Sequence, residues 1–266
     1  MTYDAPELTV EIKDFVATVE IQRPPHNFFD FALIKQIADT YEQIDEDPDV
    51  RAILLCAKGK SFCAGANFGD GSTVQSDGSV EGSFNRLGPD HLYMEAVRVF
   101  SCKTPVVAAV QGAAIGGGLG LAMSADFRVG CPESRFAANF TRLGFHPGFG
   151  LTHTLPRAIG HQKAAMMFLT SRRIKGEEAH ELGLLDQIAT LDALRQDAWD
   201  LTREIAINSP LGVVSTRATL RQGLADAVKT ATDHELVEQT WLRKTEDFKE
   251  GVAATHDRRL PDFKGV

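Results

Sequence analysis

At 266 residues, with 43% apolar and 24% charged residues, the chain has the composition of a globular protein long enough for one large domain or two small ones. A formal net charge of −8 and a pI near 5.5 argue against a general nucleic-acid binder, which needs a basic surface. No apolar run approaches the length of a membrane span.

The N-terminus, Met1-Thr-Tyr-Asp-Ala-Pro-Glu, has no basic or apolar leader pattern, so a cytoplasmic location is expected. From Leu8 the chain alternates apolar and polar residues to Ile12 and again over Phe15–Ile21, which predicts a hairpin around Lys13-Asp14. Arg23-Pro24-Pro25-His26-Asn27 is a loop, and the helical spacing of Leu33, Ile34, Ile37, Tyr41 and Ile44 predicts a helix over Phe31–Ile44. Ile53–Ala57 is a short buried strand. Asp70–Gly88, rich in Gly, Ser and Asp, is expected to be a surface loop or a lid over a site. A helix over Leu92–Phe100, strands over Val106–Val110 and Phe127–Val129, and a helix over Leu119–Met123 follow. From Leu151 the pattern is helical: Leu151–Ile159, Gln162–Leu169, Gly176–Leu182, Leu194–Ala206, Leu211–Gly223 and His234–Phe248. The plan is an α/β core with a C-terminal helical extension. The cysteines Cys56, Cys63, Cys102 and Cys131 form no C-x-x-C pair and are expected to be free core thiols.

Gly116-Gly117-Gly118-Leu119-Gly120 carries the chemical signal. A strand that runs through glycines into a helix leaves backbone N–H groups unpaired, and such groups hold an oxyanion or a phosphate. The run completes neither G-x-G-x-x-G nor a P-loop. Close helix–strand packing is the plainer reading, but it seldom needs four glycines in five positions, each costing about 1 kcal/mol against alanine. Lys60-Ser61-Phe62-Cys63-Ala64-Gly65-Ala66-Asn67 is a second small-residue turn after a buried strand, and an oxyanion hole takes two donors.

The words Ser61-Phe62-Cys63-Ala64-Gly65-Ala66-Asn67 and Thr104-Pro105-Val106 through Gln111-Gly112 to Gly116-Gly117-Gly118 resemble the enoyl-CoA hydratase/isomerase (crotonase) superfamily. So do Ser124-Ala125-Asp126-Phe127-Arg128, Pro147-Gly148-Phe149-Gly150 and Leu182-Gly183-Leu184. The resemblance runs from about Leu8 to Lys264. It implies an α/β fold made of a spiral of ββα units over 1–205. It also implies a C-terminal helical region, 206–266, that builds homotrimers or hexamers. The implied substrate is an acyl-CoA thioester, with coenzyme A entering as part of the substrate, no tightly bound cofactor and no metal. By position, the N–H groups of Ala66 and Gly117 would hold the thioester oxygen. Arg23, Lys60, Ala64 and Ala66 would lie along the coenzyme. Phe263 and Lys264 match residues that reach a coenzyme bound to a neighbouring subunit. Asn67 stands where many members have Asp.

The departures from the family pattern concern the acid and base. The two hydratase glutamates fall at Gly120 and Phe140, and other members place an acid at or near Pro147 or Gly148. Hydration needs one group to activate water and another to handle the α-proton. His146 is the titratable candidate on the turn that carries acids in relatives. Phe140 is expected to form an apolar wall, and Arg142 is a candidate for a substrate carboxylate. Asp90, His91 and Tyr93 are candidates to enter from the lid side. The expectation is an acyl-CoA enzyme, a lyase or isomerase, that stabilises a thioester enolate. The alternatives are an acyl-CoA binding protein with little catalysis and a carbon–carbon hydrolase acting on a cyclic 3-oxoacyl-CoA. An RNA-binding side role conflicts with the acidic balance.

Overall fold

The computed structural model describes residue 3 and residues 5–67 and 91–266. The expected loop Asp70–Gly88 and the candidate Asp90 lie outside the described residues. The chain runs through β1 (Leu8–Lys13), β2 (Val16–Ile21), α1 (Phe31–Asp45), β3 (Ala52–Ala57), α2 (Leu92–Ser101), β4 (Val106–Val110), β5 (Ala113–Ile115) and α3 (Gly117–Ser124). It continues through β6 (Phe127–Gly130), β7 (Arg135–Ala137), a 3₁₀ turn (Thr141–Leu143), α4 (Leu151–Ile159), α5 (His161–Thr170), β8 (Ile174–Lys175), α6 (Gly176–Glu181) and β9 (Gln187–Ile188). Four helices close it: α7 (Leu194–Ala206), α8 (Pro210–Leu220), α9 (Leu224–Leu242) and α10 (Glu246–His256).

The larger sheet has the order β1-β2-β3-β4-β6-β9, with β1 antiparallel to β2 and the remaining pairs parallel. A second sheet, β5-β7-β8, pairs β5 with β7 in parallel and β7 with β8 antiparallel. The central strands are buried on both faces, and their alternation divides the core. Ile53, Leu55, Ala57, Val106, Ala108 and Val110 face the main core with α1 and α2. Leu54, Cys56, Val107 and Ala109 face Leu194, Ala198 and Ala206 of α7. Two covered faces explain why β3 and β4 read as unbroken apolar runs. α1 presents Leu33, Ile34, Ile37, Ala38, Tyr41 and Ile44 to the core and starts at Asp30, whose carboxylate accepts the Leu33 N–H at 2.9 Å.

The helical expectation needs correction at the C-terminus. His234–Phe248 is not one helix. α9 begins earlier, at Leu224 after the left-handed Gly223, and ends at Leu242. Thr245 then caps α10 by accepting the Phe248 N–H at 3.1 Å. α3 begins two residues earlier than expected, inside the glycine run. α9 packs on α2 and α4, and α10 packs on the 3₁₀ turn, which brings C-terminal side chains over the core.

Candidate active site

The two small-residue turns are laced together by backbone hydrogen bonds. Cys63 N–H donates to Ala113 O (2.9 Å) and Ile115 N–H to Cys63 O (3.1 Å), making a parallel bridge between Cys63 and Ala114. This approach requires glycines. A Cβ on Gly65, whose φ is +85°, would stand 2.7 Å from Ile115 O, and one on Gly118 would fall on the Cys63 carbonyl. Gly116, at φ +55°, turns the chain so that Gly117 becomes the first residue of α3. The first N–H groups of a helix have no partner within it and carry the positive end of its dipole.

A cavity of about 310 Å³ opens where these turns meet, with Ala64, Gly65 and Ala66 on one side and Ile115, Gly116 and Gly117 on the other. Its walls are largely aromatic. Phe29 and Phe149 meet edge to face at 5.9 Å, and Phe140 and Phe145 at 5.4 Å. Tyr93, Asn139 and Gln239 add polar groups, with Arg243 deeper and the exposed Arg135 and Arg173 at the rim. No carboxylate lines the cavity among the described residues.

Aromatic rings occupy the space at positions 120 and 140. Phe149 Cδ1 lies 2.6 Å from where a Cβ on Gly120 would be, and Phe140, 7% exposed, lines the wall directly. In front of Gly148 stands the Tyr93 hydroxyl, on which a Cβ at 148 would fall.

Of the residues singled out in the sequence, the structure brings Ala64, Ala66, Gly117, Phe140 and Tyr93 together around this cavity. His146 and Arg142 do not line it. The His146 Nδ1 is 2.9 Å from the Pro147 carbonyl, and its ring meets His234 at 5.8 Å. Arg142 is exposed, and its backbone N–H donates to Ser171 Oγ at 3.1 Å. The Arg23 guanidinium is held by Glu7 and, at 3.0 Å, by Asp30, away from the lining, and these carboxylates raise its pKa against the lowering effect of burial. Lys60 is exposed outside the cavity. Phe263 (39% exposed) and Lys264 lie on the C-terminal tail, where the Lys264 N–H donates to Asp247 at 2.7 Å and its ammonium pairs with Asp262 at 2.8 Å. His91 caps α2, its Nδ1 accepting the Tyr93 N–H at 3.0 Å. Phe29, Asn139, Phe145, Gln239 and Arg243 are among the lining residues that sequence reasoning missed.

This fold, a parallel sheet with a second small sheet and helices wrapped around both, is that of solved acyl-CoA enzymes. The enoyl-CoA hydratase/isomerase structure from Pseudoalteromonas atlantica superposes with a TM-score of 0.86 at 28% identity, covering 97% of this chain and 100% of that one. Residues 11–266 match the Enoyl-CoA hydratase/isomerase family model, and the chain belongs to that family. Similar proteins include the short-chain-enoyl-CoA hydratase of Clostridium acetobutylicum, 32% identical with 94% of each chain covered. The 1,2-epoxyphenylacetyl-CoA isomerase of Escherichia coli is 29% identical, with 94% of this chain and 95% of that one covered.

Proposed function

We propose that this chain binds an acyl-CoA thioester in the aromatic cavity and stabilises its enolate with the N–H groups of Ala66 and Gly117. The observation that carries this reading is the lacing of turns 63–66 and 113–117 around one cavity, with the N-terminus of α3 opening into it. When solvent takes an α-proton, the negative charge left behind moves onto the thioester oxygen. Preorganised N–H donors in a largely apolar site favour that charge without reorganising. The reaction departs from the two-glutamate hydratase pattern, because Gly120 and Phe140 supply no acid or base. Exchange of the α-protons of phenylacetyl-CoA in deuterated water, followed by mass spectrometry, tests the reading. Exchange catalysed by the protein supports it. Tight binding of acyl-CoA esters with neither exchange nor turnover supports the second reading, a binding protein with little catalysis, which the lack of a lining carboxylate among the described residues favours.

The exposed Leu211 (83%), Leu220 (70%) and Leu169 (77%) support a homotrimer or hexamer in which other copies cover α8 and α5. Light scattering during size exclusion measures this directly, and a monomer at micromolar concentration would rule it out.

A further inference from the structure

The polar wall of the cavity is a chain of hydrogen bonds whose directions are forced. Gln239, 1% exposed on α9, places Nε2 against two backbone carbonyls, His146 O at 2.8 Å and Pro147 O at 3.1 Å. Carbonyls only accept, so the atom facing them is the amide NH₂. Its Oε1 faces Arg243 Nη2 at 2.8 Å, and a guanidinium only donates, so the orientation is required from both ends. The Tyr93 hydroxyl lies 2.9 Å from the same Oε1 and must give it its one hydrogen.

What Tyr93 keeps is acceptor capacity. The ring is fixed, 7% exposed, against His91 at a centroid distance of 4.7 Å, with the oxygen pressed over Gly148. Burial raises the hydroxyl above the ordinary tyrosine range, so it stays neutral and takes no proton near neutral pH. That acceptor capacity belongs to a residue that lines the cavity.

We propose that Tyr93 is a specificity-determining residue whose oxygen accepts a hydrogen bond from a hydroxyl on the acyl group, so that the cavity selects hydroxyacyl-CoA thioesters over their unsubstituted counterparts. The proposal rests on the acyl-CoA reading above. A hydrocarbon chain leaves that acceptor position unused, and a ketone sets lone pair against lone pair, whereas a hydroxyl donates to it.

The test is isothermal titration of the intact protein with butyryl-CoA and with 2-, 3- and 4-hydroxybutyryl-CoA. The best hydroxy ester should bind about 5- to 10-fold more tightly than butyryl-CoA, the value of one neutral hydrogen bond. In Tyr93→Phe that preference, read as the ratio of hydroxy-ester to butyryl-CoA affinity within the one protein, should vanish. Gln239→Leu frees the hydroxyl to turn its hydrogen elsewhere and should also reduce the preference, which keeps the test open if Tyr93→Phe does not fold. Equal affinities across the panel in the wild type, or a preference retained in either variant, would overturn the assignment of Tyr93. Failure of every ester to bind would instead overturn the acyl-CoA reading, and this one with it.

Discussion

Gly120 and Phe149 divide one space between them. A Cβ on Gly120 would stand 2.6 Å from Phe149 Cδ1 and 2.7 Å from its Cβ, so Gly120 has no room for a side chain while Phe149 keeps its place. Phe149 is 1% exposed, at φ +63° on the turn before α4, and Phe29 meets its ring edge to face. A glycine inside α3 costs about 1 kcal/mol against alanine, and the packing of Phe149 is what requires it.

A carboxylate introduced at this position should therefore not fit. Gly120→Glu should lower stability by about 2–4 kcal/mol, through overpacking and a buried charge, and should yield no hydratase. Thermal unfolding checks the first part. Coupling to Phe149→Ala should recover part of the loss, since the two sites share one volume. A Gly120→Glu protein as stable as the wild type would mean that Phe149 yields easily.

Crotonyl-CoA should be hydrated poorly by the wild type. General acid and base groups each contribute about 10²- to 10⁴-fold, and no carboxylate lines the cavity among the described residues. The rate, read from loss of the enoyl thioester absorbance, should fall at least about 1,000-fold below that of a two-glutamate relative. A comparable rate would place an acid outside the described residues.

Ala66→Pro removes one of the two proposed N–H donors. It should reduce α-proton exchange of phenylacetyl-CoA by about 100- to 1,000-fold, with a much smaller change in its dissociation constant. Equal losses in binding and exchange would assign Ala66 to ground-state binding alone.

The residues differ in how much of this the sequence makes legible, for physical reasons. β3 and β4 are readable because both their faces are covered, which leaves unbroken apolar runs. β5, β7, β8 and β9 have two or three residues each, too few to show alternation, and are defined by their pairing partners. The glycine run is readable because a Cβ on Gly118 would meet the Cys63 carbonyl and Cβ atoms on Gly117 and Gly120 would meet the Phe29 and Phe149 rings. Gln239 is not, because it meets Tyr93 across 146 residues only after α9 folds over α2, and glutamine carries no local signal. His146 is a candidate by residue type, but its ring sits against the Pro147 carbonyl and the His234 ring, outside the cavity lining.

Asp126 fastens the C-terminal helices to the core. It accepts from Val106 N–H and Arg217 Nε, both at 2.8 Å, and from Arg221 Nη1 at 2.9 Å. All three side chains are largely buried. Asp126→Ala would remove the carboxylate paired with both buried guanidinium groups, leaving them backbone carbonyls only, and should cost about 3–5 kcal/mol, with α8 exposed first to hydrogen exchange. A loss below about 1 kcal/mol would class these as surface pairs.

The buried thiols make stability fall in alkali. Desolvation pushes Cys56 and Cys63 up from 9.0 to about 12. Below pH 9 neither state ionises these thiols. Between pH 9 and about 12 the unfolded chain releases those protons while the folded chain retains them, so folding loses about 1.4 kcal/mol per pH unit for each thiol. Urea unfolding midpoints taken across this window should therefore decline, and more gently in Cys63→Ala than in the wild type. Equal slopes in the two proteins would show that the Cys63 thiol ionises as readily folded as unfolded. The native protein should likewise resist thiol reagents at pH 8, with Cys56, Cys63, Cys102 and Cys131 all buried, and should react at all four once unfolded.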